Sequence, residues 1–164
     1  MSARLRWVAC LAALALLAGC GFLLQGVSHL PPAFASTAVV ASDRYTDFNR
    51  ALGDALRMSG TTVVTDALHA GATVEVLGDE NGQRVLSVSA NNTPTEYEVY
   101  YTIRYRVRIG EREALPPQVL TLTREYSFDT AAVLAKEHEQ ELIRGALARE
   151  LAALVMRRLA ALPQ

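Results

Sequence analysis

The sequence predicts an α+β fold: a mainly antiparallel four-stranded sheet with two helices packed on one face. Three observations predict it. Residues 96–109 alternate strictly between apolar and polar, two other segments repeat apolar residues at helical spacing, and the elements run strand, helix, strands, helix. In the alternating segment Tyr97, Val99, Tyr101, Ile103, Tyr105, Val107 and Ile109 share one face, and Glu96, Glu98, Tyr100, Thr102, Arg104, Arg106 and Arg108 share the other. Period two over that length marks a long strand with one buried and one wet face. Helices covering a single face of such a sheet bury both apolar surfaces at once.

Taken in order, Thr37 to Ala41 (TAVVA) reads as a first strand. Ser42 or Asp43 is a candidate cap for a helix starting near Arg44, whose stripe is Tyr45, Phe48, Leu52, Ala55 and Leu56, and Gly60 closes it. Ala72, Val74 and Val76 alternate with polar neighbours, Asp79-Glu80-Asn81-Gly82 reads as a turn, and Leu86, Val88 and Ala90 resume the alternation. After the long strand, Gly110 to Pro117 reads as a connection and Leu120, Leu122, Tyr126 and Phe128 as a second long strand pairing back on the first. Asp129 is a candidate cap for a last helix reaching about Leu162, with a stripe from Leu134 and His138 through Leu142, Ile143, Leu147, Leu151, Leu154, Val155 and Leu159. No internal repeat and no second domain is evident.

The N-terminus is organised differently. Arg4 and Arg6 precede an unbroken apolar run, Trp7 to Leu17. A bilayer span needs about 20 such residues, so the run reads as a signal peptide and not as an anchor. Leu17-Ala18-Gly19-Cys20 resembles a lipobox, in which the cysteine is acylated and becomes the new N-terminus. An ordinary signal peptide followed by an incidental cysteine is the other reading. Cleavage removes Cys10 and leaves Cys20 without a partner for an intrachain disulfide, which favours modification. The expected division is 1–19 signal peptide, 20–36 lipidated tether and 37–164 a single domain. Gly21 after the cysteine, instead of an acid, is the residue type that accompanies sorting to the outer membrane, leaving the domain on its periplasmic side.

Candidate chemistry is sparse. Without Arg4 and Arg6 the remainder is mildly acidic, which gives no basic surplus for nucleic acid. His29, His69 and His138 stand at no metal-ligand spacing, and neither a serine elbow nor a glycine-rich phosphate loop is present. Glu96 and Glu98 share a strand face, but they continue into arginines and read as charge alternation. These features point to a module without a metal or cofactor that is not an enzyme. Arg104, Arg106 and Arg108 form a row on one strand face, which Arg124 could join. Guanidinium forks match phosphate and carboxylate. The same charges would also keep an exposed strand from pairing with its neighbours.

Several motifs carry a resemblance. Cys20-Gly21-Phe22 with Leu24 and Leu30-Pro31, Thr95-Glu96-Tyr97-Glu98, Pro116-Pro117, Arg124-Glu125-Tyr126-Ser127-Phe128-Asp129, and residues 133–143 (VLAKEHEQELI) occur in this order. Together they resemble the LptE family, the outer-membrane lipoproteins of lipopolysaccharide assembly. The resemblance implies a plug inside the LptD β-barrel that also assists its folding and binds lipopolysaccharide. In the family, basic residues near a strand turn and near the start of the last helix carry that binding. Lys136 matches the helix position, whereas Ala90 stands at the strand-turn position, so Arg84 or the Arg104, Arg106 and Arg108 row would have to substitute. The runner-up is an accessory lipoprotein of a phospholipid-trafficking ABC system.

Overall fold

The computed structural model describes residues 30–127 and 133–163, and their side chains except those of 133–137. The elements are β1 (Ser36–Ala41), α1 (Asp47–Met58), β2 (Thr62–Val64), β3 (Ala72–Val88), β4 (Pro94–Ile109), β5 (Arg112–Ser127) and α2 (Val133–Ala160), with 3-10 turns at Pro32–Phe34 and Ala67–His69. The sheet order is β2-β1-β3-β4-β5. β1 is parallel to both β2 and β3, and the β3–β4 and β4–β5 pairs are antiparallel.

The α+β class stands, but the sheet is five-stranded and mixed, which corrects the expectation of four mainly antiparallel strands. The added strand is β2, three residues directly after Gly60. It is too short to show a period, and only the β1–α1–β2 crossover brings it beside β1. Gly60 itself has φ 86°, the left-handed conformation that closes α1.

α1 starts later than expected. Thr46 is its cap, with Oγ1 accepting the Asn49 N–H at 3.2 Å. Asp43 instead accepts the Tyr45 N–H at 2.8 Å in the preceding turn, so Tyr45 falls outside the helical stripe and is 86% exposed. Phe48, Leu52 and Leu56 are buried as the spacing predicts. The packed body also begins early: Phe34 is fully buried and Leu30 packs against the core.

β3 runs straight through the segment read as a turn. Asp79, Glu80, Asn81 and Gly82 pair with Ile103, Thr102, Tyr101 and Tyr100. Gly82 serves close approach here instead of a bend, because a Cβ at that position would lie 2.6 Å from the Tyr100 hydroxyl. β5 likewise begins at Arg112, directly after a tight reversal in which Gly110 has φ 56°, and Pro116 and Pro117 lie within it. Prolines are tolerated there because β5 is an edge strand and the register shifts between Tyr105 and Val107 opposite them.

One face of the sheet carries the core. Val74, Val76, Val99, Tyr101, Ile103, Tyr105 and Val107 meet Phe48, Leu52 and Leu56 of α1 and Leu147, Leu151, Val155 and Leu159 of α2. Burying each large apolar side chain contributes about 1.5–3 kcal/mol. The α2 stripe engages from Ile143 onward. His138 and Leu142 are exposed, so these two members of the expected stripe are not part of the core. The proposed cap Asp129 and the strand residue Phe128 lie outside the described residues. α1 and α2 are tied by Arg144, whose Nε–H donates to Asp47 Oδ2 at 2.8 Å.

Candidate functional site

β4 positions the candidate row on the face turned away from the helices. Successive side chains of a strand alternate, so Arg104, Arg106 and Arg108 project on one side about 7 Å apart while Ile103, Tyr105 and Val107 fill the core on the other. The row is not a set of bare cations. Glu75 on β3 lies opposite Arg106, accepting Nε–H at 2.8 Å and lying 2.6 Å from Nη2, with Arg108 Nη1 at 3.8 Å. One carboxylate thus faces two guanidinium groups. Arg104 is exposed and donates from Nη2 to the Leu77 carbonyl at 3.5 Å, where the register shift between Val76 and Gly78 breaks regular pairing. Arg108 also reaches the Glu111 carbonyl at 3.5 Å.

The same face carries the opposite charge balance farther along β4. Arg84 pairs with Glu98 at 2.6 Å, and the Glu98 side chain is only 10% exposed. The Ser87 hydroxyl donates to Glu96 Oε2 at 2.7 Å. Both acids considered as a catalytic pair are therefore already engaged by neighbouring side chains. Six residues separate Glu98 from Arg104 along β4, about 20 Å, so Arg84 does not join the arginine row. Arg124 does not join it either: it is opposite Val99 on the helix side, 3.4 Å from Glu150 of α2. That corrects its expected place.

Of the remaining candidates, Ala90 is exposed in the loop joining β3 to β4, and Lys136 stands near the start of α2. The Lys136 side chain and Cys20 lie outside the described residues. Among the described residues no cluster of His, Cys, Asp or Glu could hold a metal ion. Sequence reasoning missed Glu75 as the counter-charge of the row. Its signal was only a glutamate in an alternating strand, and no pattern states which arginine it will oppose.

Around this frame the electrostatics are structural. Burial alone would raise the Asp47 carboxyl, but hydrogen bonds from Arg144 and Arg50 outweigh it and hold the group below the usual carboxylate range. Tyr101 is driven the other way: burial, assisted by the Asp79 carboxylate, pushes its ionisation well above the ordinary phenol value while its oxygen accepts the Phe48 N–H at 3.1 Å.

The sequence and this arrangement of a mixed sheet with two helices on one side match known proteins. The family model for LptE, described as lipopolysaccharide-assembly, matches residues 34–159. The chain belongs to the LptE family. Among its relatives is the LPS-assembly lipoprotein LptE of Yersinia enterocolitica, 30% identical over 143 residues, covering 87% of this chain and 69% of that one. The LptE of Yersinia pestis strain Pestoides F is 29% identical over the same coverage. The solution structure of lipoprotein B from Nitrosomonas europaea superposes with TM-score 0.71 at 26% identity, covering 86% of this chain and 91% of that one. Rare lipoprotein B from Shewanella oneidensis shares the fold at TM-score 0.68 and 23% identity, over 77% and 94% of the two chains. Within the LptE family, then, this chain keeps the frame while placing Ala90 in the β3–β4 loop and three arginines on the open face of β4.

Proposed function

We propose that this chain is an outer-membrane lipoprotein of lipopolysaccharide assembly, and that the Arg104, Arg106 and Arg108 row is where its sheet meets anionic groups of that lipid. The reading is supported by membership of the LptE family and by one observation above all: three guanidinium groups stand in a row on the open face, Arg106 and Arg108 sharing the Glu75 carboxylate while Arg104 makes no ion pair among the described residues. Such forks suit the phosphates of lipid A, where each charge-assisted hydrogen bond is about twice as strong as a neutral one. Lys136 and, at the far end of the sheet, Arg84 would add further cationic contacts. No metal or cofactor enters this role, and the engaged acids on the open face suit binding better than catalysis.

The partner in this reading is a large LptD-like β-barrel, with the domain as plug and as folding aid. A compact domain of this size has a radius of gyration of about 15 Å, so only a very wide barrel could hold it. In the same proposal residues 1–19 are removed, Cys20 is acylated, and the residues after it lead to a working domain that begins at Leu30, earlier than the expected 37. The decisive experiment is affinity isolation of the chain from detergent-solubilised outer membrane. Co-isolation of a large β-barrel supports the assembly role, and its absence there rejects the plug. Separately, Arg104→Ala combined with Arg106→Ala should weaken lipopolysaccharide binding in a direct assay, and an unchanged affinity would remove the row from the site.

A further inference from the structure

The end of the sheet where the chain enters carries an apolar side chain presented to the outside. Leu68, in the 3-10 turn Ala67–His69, is 91% exposed. It is held there firmly: Asp66 Oδ1 accepts the Leu68 N–H at 2.9 Å, and Asp66 Oδ2 lies 2.6 Å from His69 Nδ1. The Leu68 N–H and His69 also hold the Asp66 carboxyl below its usual range. This turn is fastened to the start of the sheet, since the Gly71 N–H donates to the Ser36 carbonyl at 2.9 Å and the Gly110 N–H to the Gly71 carbonyl at 3.2 Å. The β4–β5 reversal, with exposed Arg112 next to it, therefore lies at the same end.

Chain length decides what that end can face. From Cys20 to Leu30 there are ten peptide steps, which reach at most about 35 Å. Leu30 packs on the core just before β1, at this same end. β4 is 16 residues long, or about 50 Å from Ile109 at this end to Pro94 at the other. A chain held at a bilayer through Cys20 cannot be inverted to set the β3–β4 loop on that surface, whereas the Leu68 end reaches it without strain. An exposed apolar side chain at the end nearest the tether suits insertion between lipid headgroups.

We infer that Leu68 is a bilayer-contact residue that, before the domain enters a barrel, seats this end on the phospholipid surface to which the chain is tethered. The inference rests on the acylation of Cys20, and its test separates the two. The single tryptophan of the sequence, Trp7, lies in the segment assigned for removal, so the mature chain gives no indole background. Leu68→Trp, and Val88→Trp near the far end of the sheet as its counterpart, should be made in the full chain. Each protein is matured in the cell, purified in detergent and reconstituted into phosphatidylethanolamine–phosphatidylglycerol vesicles. Flotation and the intact mass report anchoring; indole emission and iodide quenching report contact.

The expected result is that both variants float and carry the mass of an acylated Cys20. Only Leu68→Trp then shows a blue-shifted emission and loss of quenching, while Val88→Trp remains as quenchable as in detergent-free buffer with the anchor cleaved. Floating protein with a water-exposed indole at position 68 overturns the contact while leaving the anchor intact. Equal protection at both positions also overturns it, because the domain would then be lying flat. Protein that neither floats nor carries the added mass overturns the anchor and the contact together.

Discussion

β4 has two sides that obey different physics. On the helix side Tyr101, Ile103, Tyr105 and Val107 are fully buried, and their contribution depends on shape and on the absence of water. On the other side Glu98, Arg104, Arg106 and Arg108 are paired across to Arg84, Leu77 and Glu75 at or near the surface, where exposed ion pairs contribute about 0–1 kcal/mol. The first side therefore fixes the fold, and the second is available for binding because stability depends little on it. Substitutions on the two sides should separate cleanly.

The largest effect is expected on the buried side. Tyr101→Ala should destabilise the domain by about 3–5 kcal/mol in urea unfolding, since it empties a core position and strips the Phe48 N–H of its acceptor. A loss below about 1 kcal/mol would reverse the assignment of the two faces. Next comes Gly82→Ala, which places a Cβ against the Tyr100 ring and should cost about 1–3 kcal/mol by the same measurement. A neutral result would show that the Tyr100 ring swings aside at little cost.

The third test concerns the tie between the helices. The native state holds the Asp47 carboxylate below its ordinary pKa, so its contribution is complete above the unfolded value and lost as pH falls through the lowered one. The stability difference between the parent chain and Asp47→Asn should be constant near neutrality and shrink below about pH 4. A difference that grows on acidification would contradict the Arg144 and Arg50 pairing. The smallest stability change belongs to Glu75→Gln, expected within about 1 kcal/mol because the pair is partly exposed. Lipopolysaccharide binding should nevertheless tighten, as Arg106 and Arg108 lose their shared counter-charge. Unchanged or weaker binding in calorimetry would argue that Glu75 orients the row and does not compete for it.

What the sequence disclosed follows the same division. The faces of β4 were legible because fourteen residues of strict alternation leave no other regular structure, and the buried stripe of α1 was legible from its spacing. β3 was legible only in its first half. Register shifts near Gly78 and between Val85 and Ser87 reset the alternation, and Asp79 to Gly82 have turn chemistry in a segment that the long partner strand holds straight. Pairing across strands stayed hidden for a related reason. Glu75 meets Arg106, and Arg124 meets Glu150, through register and helix placement that no local pattern encodes. The three arginines could be put on one face from sequence, but not their counter-charge. Lys136 and Cys20 remain readings of the sequence.

Pro116 and Pro117 have a consequence beyond the local kink. β5 is the long outer strand, and Val119 to Thr123 on it carries no charge, with Val119 well exposed. A chain tethered to a surface diffuses in two dimensions, where neighbours meet far more often than in dilute solution. Strand borders would then zip together into rafts. Successive strand residues point their N–H groups to opposite sides, so two adjacent imino residues remove one donor from that border and interrupt the run a second strand would need. A border interrupted in this way keeps two copies of the chain from pairing edge to edge.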